Sequence, residues 1–290
     1  MYWFILSLAA AFFDATYFML IKSYLKRVDF YILGAGVSLF SLFFTITVSV
    51  LKGLPTLGSL FYPYLAVTGA MEIIAMILYF KALESHDMSL ALPMLSFTPL
   101  FLIFTSFFIL GESPTTFGFV GIFFIVMGSY VLGIKEIKND GEDLFLPFKE
   151  LLRNKGTRYM LIVAVFWGIE TNFVKIVVLN SDPIFAAAAF SLIIGIAFLG
   201  ISAAKREDIR GGFSKNLGSF ALGGAVISLS AIAVNYAFTM EIVPYVISIK
   251  RLNILFSVIY GGIIFHETNI GNRMVGALIM TIGSIIILLF

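Results

Sequence analysis

"LGESPTTFGFVGIFFIVMGSYVLG" (residues 110–133) and "FHETNIGNRMVGALIMTIGSIIIL" (265–288) superimpose without a gap. Glu112 falls on Glu267, Gly121 on Gly276, Gly128 on Gly283 and Ser129 on Ser284. Two earlier coincidences share nearly the same offset: "YFKALE" (79–84) resembles "YAFTME" (236–241), and Asp14 falls close to Glu170. Matches at a common offset in three places mark an internal duplication, and the fold has to be read from that.

What is duplicated is membrane-spanning helix. Only 12% of the residues are charged and 60% are hydrophobic, whereas about a quarter of a soluble domain is charged. Mean hydropathy is +1.03. A helix needs about 20 apolar residues to cross a bilayer, and hydrocarbon offers the backbone no water, so such runs must be helices. Ten are expected, over approximately 2–21, 31–51, 60–80, 88–110, 117–133, 159–179, 183–203, 217–240, 242–265 and 270–290. The N-terminal run lacks a basic leader and a small-residue cleavage site, so it reads as a span that is kept.

Five spans per copy is an odd number, so the second copy lies inverted in the membrane. The fold class is therefore all-α integral membrane, ten transmembrane helices as two inverted five-helix repeats. The expected organisation is a first repeat over 1–134, a basic linker over 135–156 and a second repeat over 157–290. Inverted repeats are the architecture of secondary transporters, whose sites lie near the midplane between the copies.

Loop charge sets the orientation. Lys22, Lys26 and Arg27 follow the first span, Lys135, Lys138, Lys149, Arg153 and Lys155 the fifth, and Lys205, Arg206, Arg210 and Lys215 the seventh. The even-numbered loops carry little beyond Lys52. The positive-inside rule puts the basic loops in the cytoplasm and both termini outside, in a multi-pass protein of the cell (plasma) membrane. Residues 145–153 read as a short amphipathic linker on the cytoplasmic surface.

The composition argues against other classes. With no cysteine, thiolate metal and Fe–S sites are impossible. The two histidines, His86 and His266, stand at span ends without a metal motif, no Gly-rich phosphate loop opens a helix, and "GES" lacks the pattern of a nucleophile elbow. The chain reads as no enzyme, with no cofactor and no metal. A net charge of +2 gives no footprint for nucleic acid. The expected partners are a small-molecule substrate and the lipid bilayer. Oligomeric state is not readable, because a duplicated chain supplies its own pseudo-dimer.

Within the ninth span, "VISIKRLNILF" (246–256) places Lys250 and Arg251 eight or nine residues from the start, roughly 12–14 Å deep. Each charge there costs about 2.5–3.5 kcal/mol and by default faces the bundle interior with a partner. The acids at similar depth are Asp14, Glu72 and Glu170. One reading is a closed structural network of these five groups. The other is that the cations hold an anionic substrate group, Arg as a planar fork and Lys as a mobile point charge. Asp14 and Glu170 are also candidates for carrying a coupling proton, since a carboxyl in low dielectric can exchange one across the physiological range. Glu72 is equally a structural partner for the cations.

Asn235, Tyr236 and Asn253 could bind substrate or join helices, and Trp167 and Tyr17 could line the cavity or pack against lipid. Lys175 and Lys81 lie nearer span ends and are expected to snorkel. Pro93, Pro99 and Pro244 could bend the fourth and ninth helices. The paired glycines of the fifth and tenth helices suit close packing.

The ten spans, the duplication, the Trp167-Gly168 pair opening the second repeat and the "GES" and "HET" endings resemble the EamA-type members of the drug/metabolite transporter superfamily. That resemblance implies a carrier; the family includes exporters of amino acids and other metabolites. Lys250-Arg251, followed by an apolar run and "GGIIFHE", resembles the triose-phosphate translocator branch, where the corresponding pair contacts substrate phosphate. This resemblance implies Lys250 and Arg251 as ligands for phosphate or carboxylate. The expectation is a secondary carrier of a small anionic metabolite working by alternating access, proton-coupled or exchange-coupled. A carrier of neutral or zwitterionic metabolites and a flippase for a lipid-linked anion are the alternatives.

Overall fold

Each apolar run closes its backbone hydrogen bonds on itself, because hydrocarbon supplies no other donor or acceptor. The computed structural model describes residues 1–25, 27–83, 92–135, 155–264 and 270–289. His86, His266, Glu267 and the amphipathic segment 145–153 lie outside the described residues. In chain order the helices are α1 (Tyr2–Tyr24), α2 (Phe30–Lys52), α3 (Phe61–Leu83), a 3-10 turn (Leu92–Phe97) leading into α4 (Thr98–Leu110), and α5 (Thr116–Lys135). The second half supplies α6 (Lys155–Leu179), α7 (Pro183–Ala204), α8 (Ile209–Phe238), α9 (Val243–Lys250), α10 (Asn253–Ile264) and α11 (Ile270–Leu289). Among the described residues, six helices are by themselves long and apolar enough to cross a membrane.

Helix ends follow local chemistry. Asp29 accepts from the Tyr31 N–H at 2.8 Å and starts α2; Asp182, followed by Pro183, accepts from Ile184 N–H at 2.9 Å and starts α7. Gly111, at φ +70°, ends α4 in the left-handed conformation that side chains disfavour. Asp208 starts α8, whose first turns lead to a kink at Asn216, next to the residue where the sequence places the start of the eighth span.

The fourth and ninth spans are each broken, which differs from the single helix expected over 242–265. Pro99 and Pro244 do not kink helix interiors: they stand in the first turns of α4 and α9, where a missing N–H leaves no bond unmade. The ninth span breaks instead at Arg251–Leu252, between α9 and α10. At the offset that puts Glu112 on Glu267, Leu252 falls on Phe97, the residue joining the 3-10 turn to α4. The two breaks are therefore repeat-related.

Packing follows the same two-fold relationship. The most extensive contacts are α5 with α11, α2 with α7, α3 with α6, and α1 with α8. Exchanging each span for its repeat partner maps this set onto itself, and every member joins one half to the other. The α5–α11 crossing is made by glycine. A Cβ on Gly121 would meet the Gly283 carbonyl at 2.8 Å, and one on Gly128 would meet that of Gly276 at 2.6 Å. Small residues let the backbones approach in a setting where lipid is as apolar as the core. Large side chains such as Phe104, Phe107 and Phe108 face outward instead.

Candidate functional site

Where the halves meet, α1 and α6 each carry one buried acid: Asp14 is 6% exposed and Glu170 7%. Asp14 accepts a short hydrogen bond from the Ser230 hydroxyl on α8 and pairs with Lys250 Nζ at 3.0 Å. Glu170 occupies the repeat-related position and meets α3, whose relation to α6 is that of α8 to α1. Here the partner is a second acid. Glu170 lies within electrostatic range of Glu72, and Trp167 Nε1, one helical turn before Glu170, donates to Glu72 at 2.9 Å. Glu170 Oε2 is buried without a hydrogen-bond partner. The Tyr79 ring lies 6.0 Å from that of Trp167, and Tyr17 lies within electrostatic range of Asp14, Tyr79 and Glu72.

The asymmetry between the two acids comes from the broken spans. The ninth supplies Lys250 to Asp14. The corresponding stretch of the fourth, "LPMLSFTPLF" (92–101), carries no cation that could answer Glu170.

Arg251, adjacent to Lys250, has a different environment. It is half-buried, its Nε is buried without a partner, and among the described residues it forms no ion pair. It sits in the turn between α9 and α10. Asn253 opens α10, is 8% exposed, and its Oδ1 is also unsatisfied. The break keeps its backbone paired: the Ile254 N–H donates to the Arg251 carbonyl at 3.1 Å and the Phe256 N–H to the Leu252 carbonyl at 3.2 Å.

The face bearing the N-terminus is tied across the halves. Lys175 does not snorkel: it is 8% exposed, holds Glu112 at 2.5 Å and donates to the Glu241 carbonyl at 2.7 Å. Burial leaves its ammonium no water to reach, so the carboxylate and carbonyl replace it. The other Glu112 oxygen accepts from the Val243 N–H at 2.8 Å, which places a carboxylate at the start of α9. Lys52 pairs with Asp182 at 2.5 Å, Gly58 N–H donates to the Asn180 carbonyl at 2.8 Å, and Thr115 N–H donates to the Tyr245 hydroxyl at 2.9 Å. Across the opposite face the exposed basic residues begin, with Lys205 lying 3.9 Å over the Tyr31 ring.

Of the residues singled out from sequence, the fold thus brings together Asp14, Glu72, Glu170, Trp167 and Lys250, with Arg251 and Asn253 at the adjoining break. Asn235 donates to the Pro183 carbonyl at 2.9 Å and ties α8 to α7. Tyr236 accepts from Lys52 at 3.3 Å near the N-terminal face, away from the acid cluster. Ser230 and Tyr79 were not singled out. A serine in an Ala-rich helix and a tyrosine near a span end look in sequence like packing residues, though Tyr79 stands in one of the repeated motifs.

The sequence profile of the EamA-like transporter family matches residues 1–134 and 154–289. The chain belongs to the EamA-like transporter family. This EamA-like protein is accordingly a multi-pass membrane transporter of small molecules, built as two repeats of membrane helices. One solved crystal structure superimposes with a TM-score of 0.78 over 98% of this chain and 95% of its own, at 15% identity. Such a likeness speaks for the EamA-like fold alone. No curated protein sequence matches the chain.

Proposed function

We propose that this carrier moves a small metabolite bearing an anionic group, a phosphate ester or a carboxylate, and that Arg251 is its principal ligand. The observation that carries this reading is the unequal treatment of two adjacent, half-buried cations. Asp14 pairs directly with Lys250, while Arg251 forms no ion pair among the described residues and its Nε is buried without a partner. A charge at this depth costs about 2.5–3.5 kcal/mol, and a bound anion making direct contact with the guanidinium offsets that cost. Asn253, at the start of α10 two residues on from Arg251, has an unsatisfied buried Oδ1, and a planar fork suits a carboxylate or phosphate. Lys250, held by a single acid, is a second cation able to turn toward the substrate. The resemblance of Lys250-Arg251 to the triose-phosphate translocator branch supports the same assignment.

The halves, bounded at 134 and 157, rock against one another in this proposal, and the basic face is cytoplasmic. The ties from Glu112 to Lys175 and from Lys52 to Asp182 close the outer face, which corresponds to a state sealed from outside.

A thermal-shift screen with phosphate esters, carboxylates, neutral and zwitterionic metabolites tests the reading. An anion at about 100 times its dissociation constant stabilises the native state by about 2.7 kcal/mol, and Arg251→Ala abolishes the effect. Equal stabilisation of the variant removes Arg251 as ligand. Stabilisation by neutral, zwitterionic or lipid-linked compounds alone overturns the anion class.

A further inference from the structure

We infer that Glu72 and Glu170 together form a proton-binding site of this carrier, distinct from the Asp14–Lys250 ion pair. The inference deepens the carrier reading by naming its coupling ion, but its argument uses no property of the substrate.

The geometry distinguishes the two acids of the duplication. Asp14 is answered by Lys250 at 3.0 Å and by the Ser230 hydroxyl, so its charge is met without a proton. Glu170 has no ion pair among the described residues, and Glu72, held by the Trp167 N–H one turn away, is the acid beside it. Two carboxyls sharing a site with so little water do not both ionise, so the pair takes up a proton. The Trp167 N–H satisfies one Glu72 oxygen at 2.9 Å and cannot supply that proton, since indole donates without dissociating. Glu170, 7% exposed, keeps Oε2 unsatisfied and is left with a free position for a second proton.

The surroundings limit what else can compensate the pair. Among the described residues, Lys250 on α9 is the cation in electrostatic range of Glu72, and it is engaged with Asp14. From α1 the facing groups are Asp14 and Tyr17, and from α3 Tyr79. α4, α7 and the 3-10 turn contribute no ionisable side chain. With one proton on the pair, the charges of Asp14, Lys250, Arg251 and the two glutamates cancel. Loss of that proton leaves two neighbouring carboxylates, and Lys250 is the mobile charge able to leave Asp14 for Glu72. Protonation of the pair and the position of Lys250 are thereby linked, beside the proposed substrate cation.

The test reads Trp167 directly. The chain has two tryptophans, so Trp3→Phe leaves Trp167, hydrogen-bonded to Glu72, as the sole indole. Emission of this protein in detergent, followed from about pH 4 to about pH 10, is expected to show a titration step that is lost in Glu72→Gln and in Glu170→Gln. The latter amide imitates the protonated acid in shape and guards against a folding failure. A step unchanged in both variants, or no step at all, overturns the site. A saturable shift caused by sodium chloride and not by choline chloride at fixed alkaline pH also overturns it, in favour of a metal cation. Because no substrate is added, a negative result leaves the anion reading standing, and failure of the ligand screen leaves this titration unaffected.

Discussion

Lys250 Nζ stands 3.0 Å from Asp14 Oδ2, joining the ninth span of one repeat to the first span of the other. Removing Lys250 leaves the buried Asp14 carboxylate without its ion pair, at up to about 3–5 kcal/mol; removing Asp14 costs less, because the Lys250 side chain is 27% exposed. Lys250→Met should therefore lower the melting temperature clearly, and adding Asp14→Asn should restore most of the loss. A double-mutant cycle in detergent checks this; additive losses would mean the two groups do not share one interaction.

Arg251 predicts the opposite sign. It has no ion pair among the described residues to lose, and its burial is itself unfavourable. Arg251→Ala should leave the melting temperature of the ligand-free protein unchanged or raised, while Lys250→Ala lowers it. Comparing the two truncations in one buffer without anions is sufficient.

Glu112 links three segments through Ser106, Lys175 and Val243, so Glu112→Gln should loosen the N-terminal face while keeping the side chain's shape. The chain lacks cysteine, which makes a single introduced thiol a clean reporter. A cysteine at Ser230 should react several-fold faster with a membrane-impermeant reagent applied to that face once Glu112 is Gln. An unchanged rate would mean the tie does not hold the face closed.

Asp182 predicts a pH effect. Burial alone pushes its carboxyl up, but the Lys52 ammonium and the Ile184 and Phe185 N–H groups outweigh this and hold it below its ordinary value of 3.8. A depressed carboxyl contributes stability above its unfolded pKa of about 3.9, and the contribution fades as pH falls through the folded value. Lys52 is well exposed, so Lys52→Met should cost less than about 1 kcal/mol at neutral pH. The gap from the parent should close as the pH falls below about 4 in melting curves.

Gly121 and Gly283 predict a packing effect. With carbonyls at 2.6–2.8 Å from any added Cβ, Gly121→Ala or Gly283→Ala must push α5 and α11 apart. A cost of about 1–3 kcal/mol is expected from overpacking. Gly200→Ala, where a Cβ meets nothing within 4 Å, is the control and should be neutral.

Membrane residence, the helical class and the two repeats were legible in the sequence, because hydrocarbon permits few backbone solutions and a duplication leaves its offset in the residues. The acids and cations were legible too, since a charge inside a span stands out against an apolar background. Their pairing was not. Sequence offered Lys250 and Arg251 as equals and Asp14 and Glu170 as equivalents, whereas the fold pairs Lys250 with Asp14, sets Glu72 beside Glu170, and gives Arg251 no ion pair among the described residues. Those assignments depend on the rotation of each helix about its axis, on side-chain reach across the interface between halves, and on the break at Arg251–Leu252. None of these is a property of spacing along one helix. They are set when the two repeats pack, and only the tertiary structure contains that information.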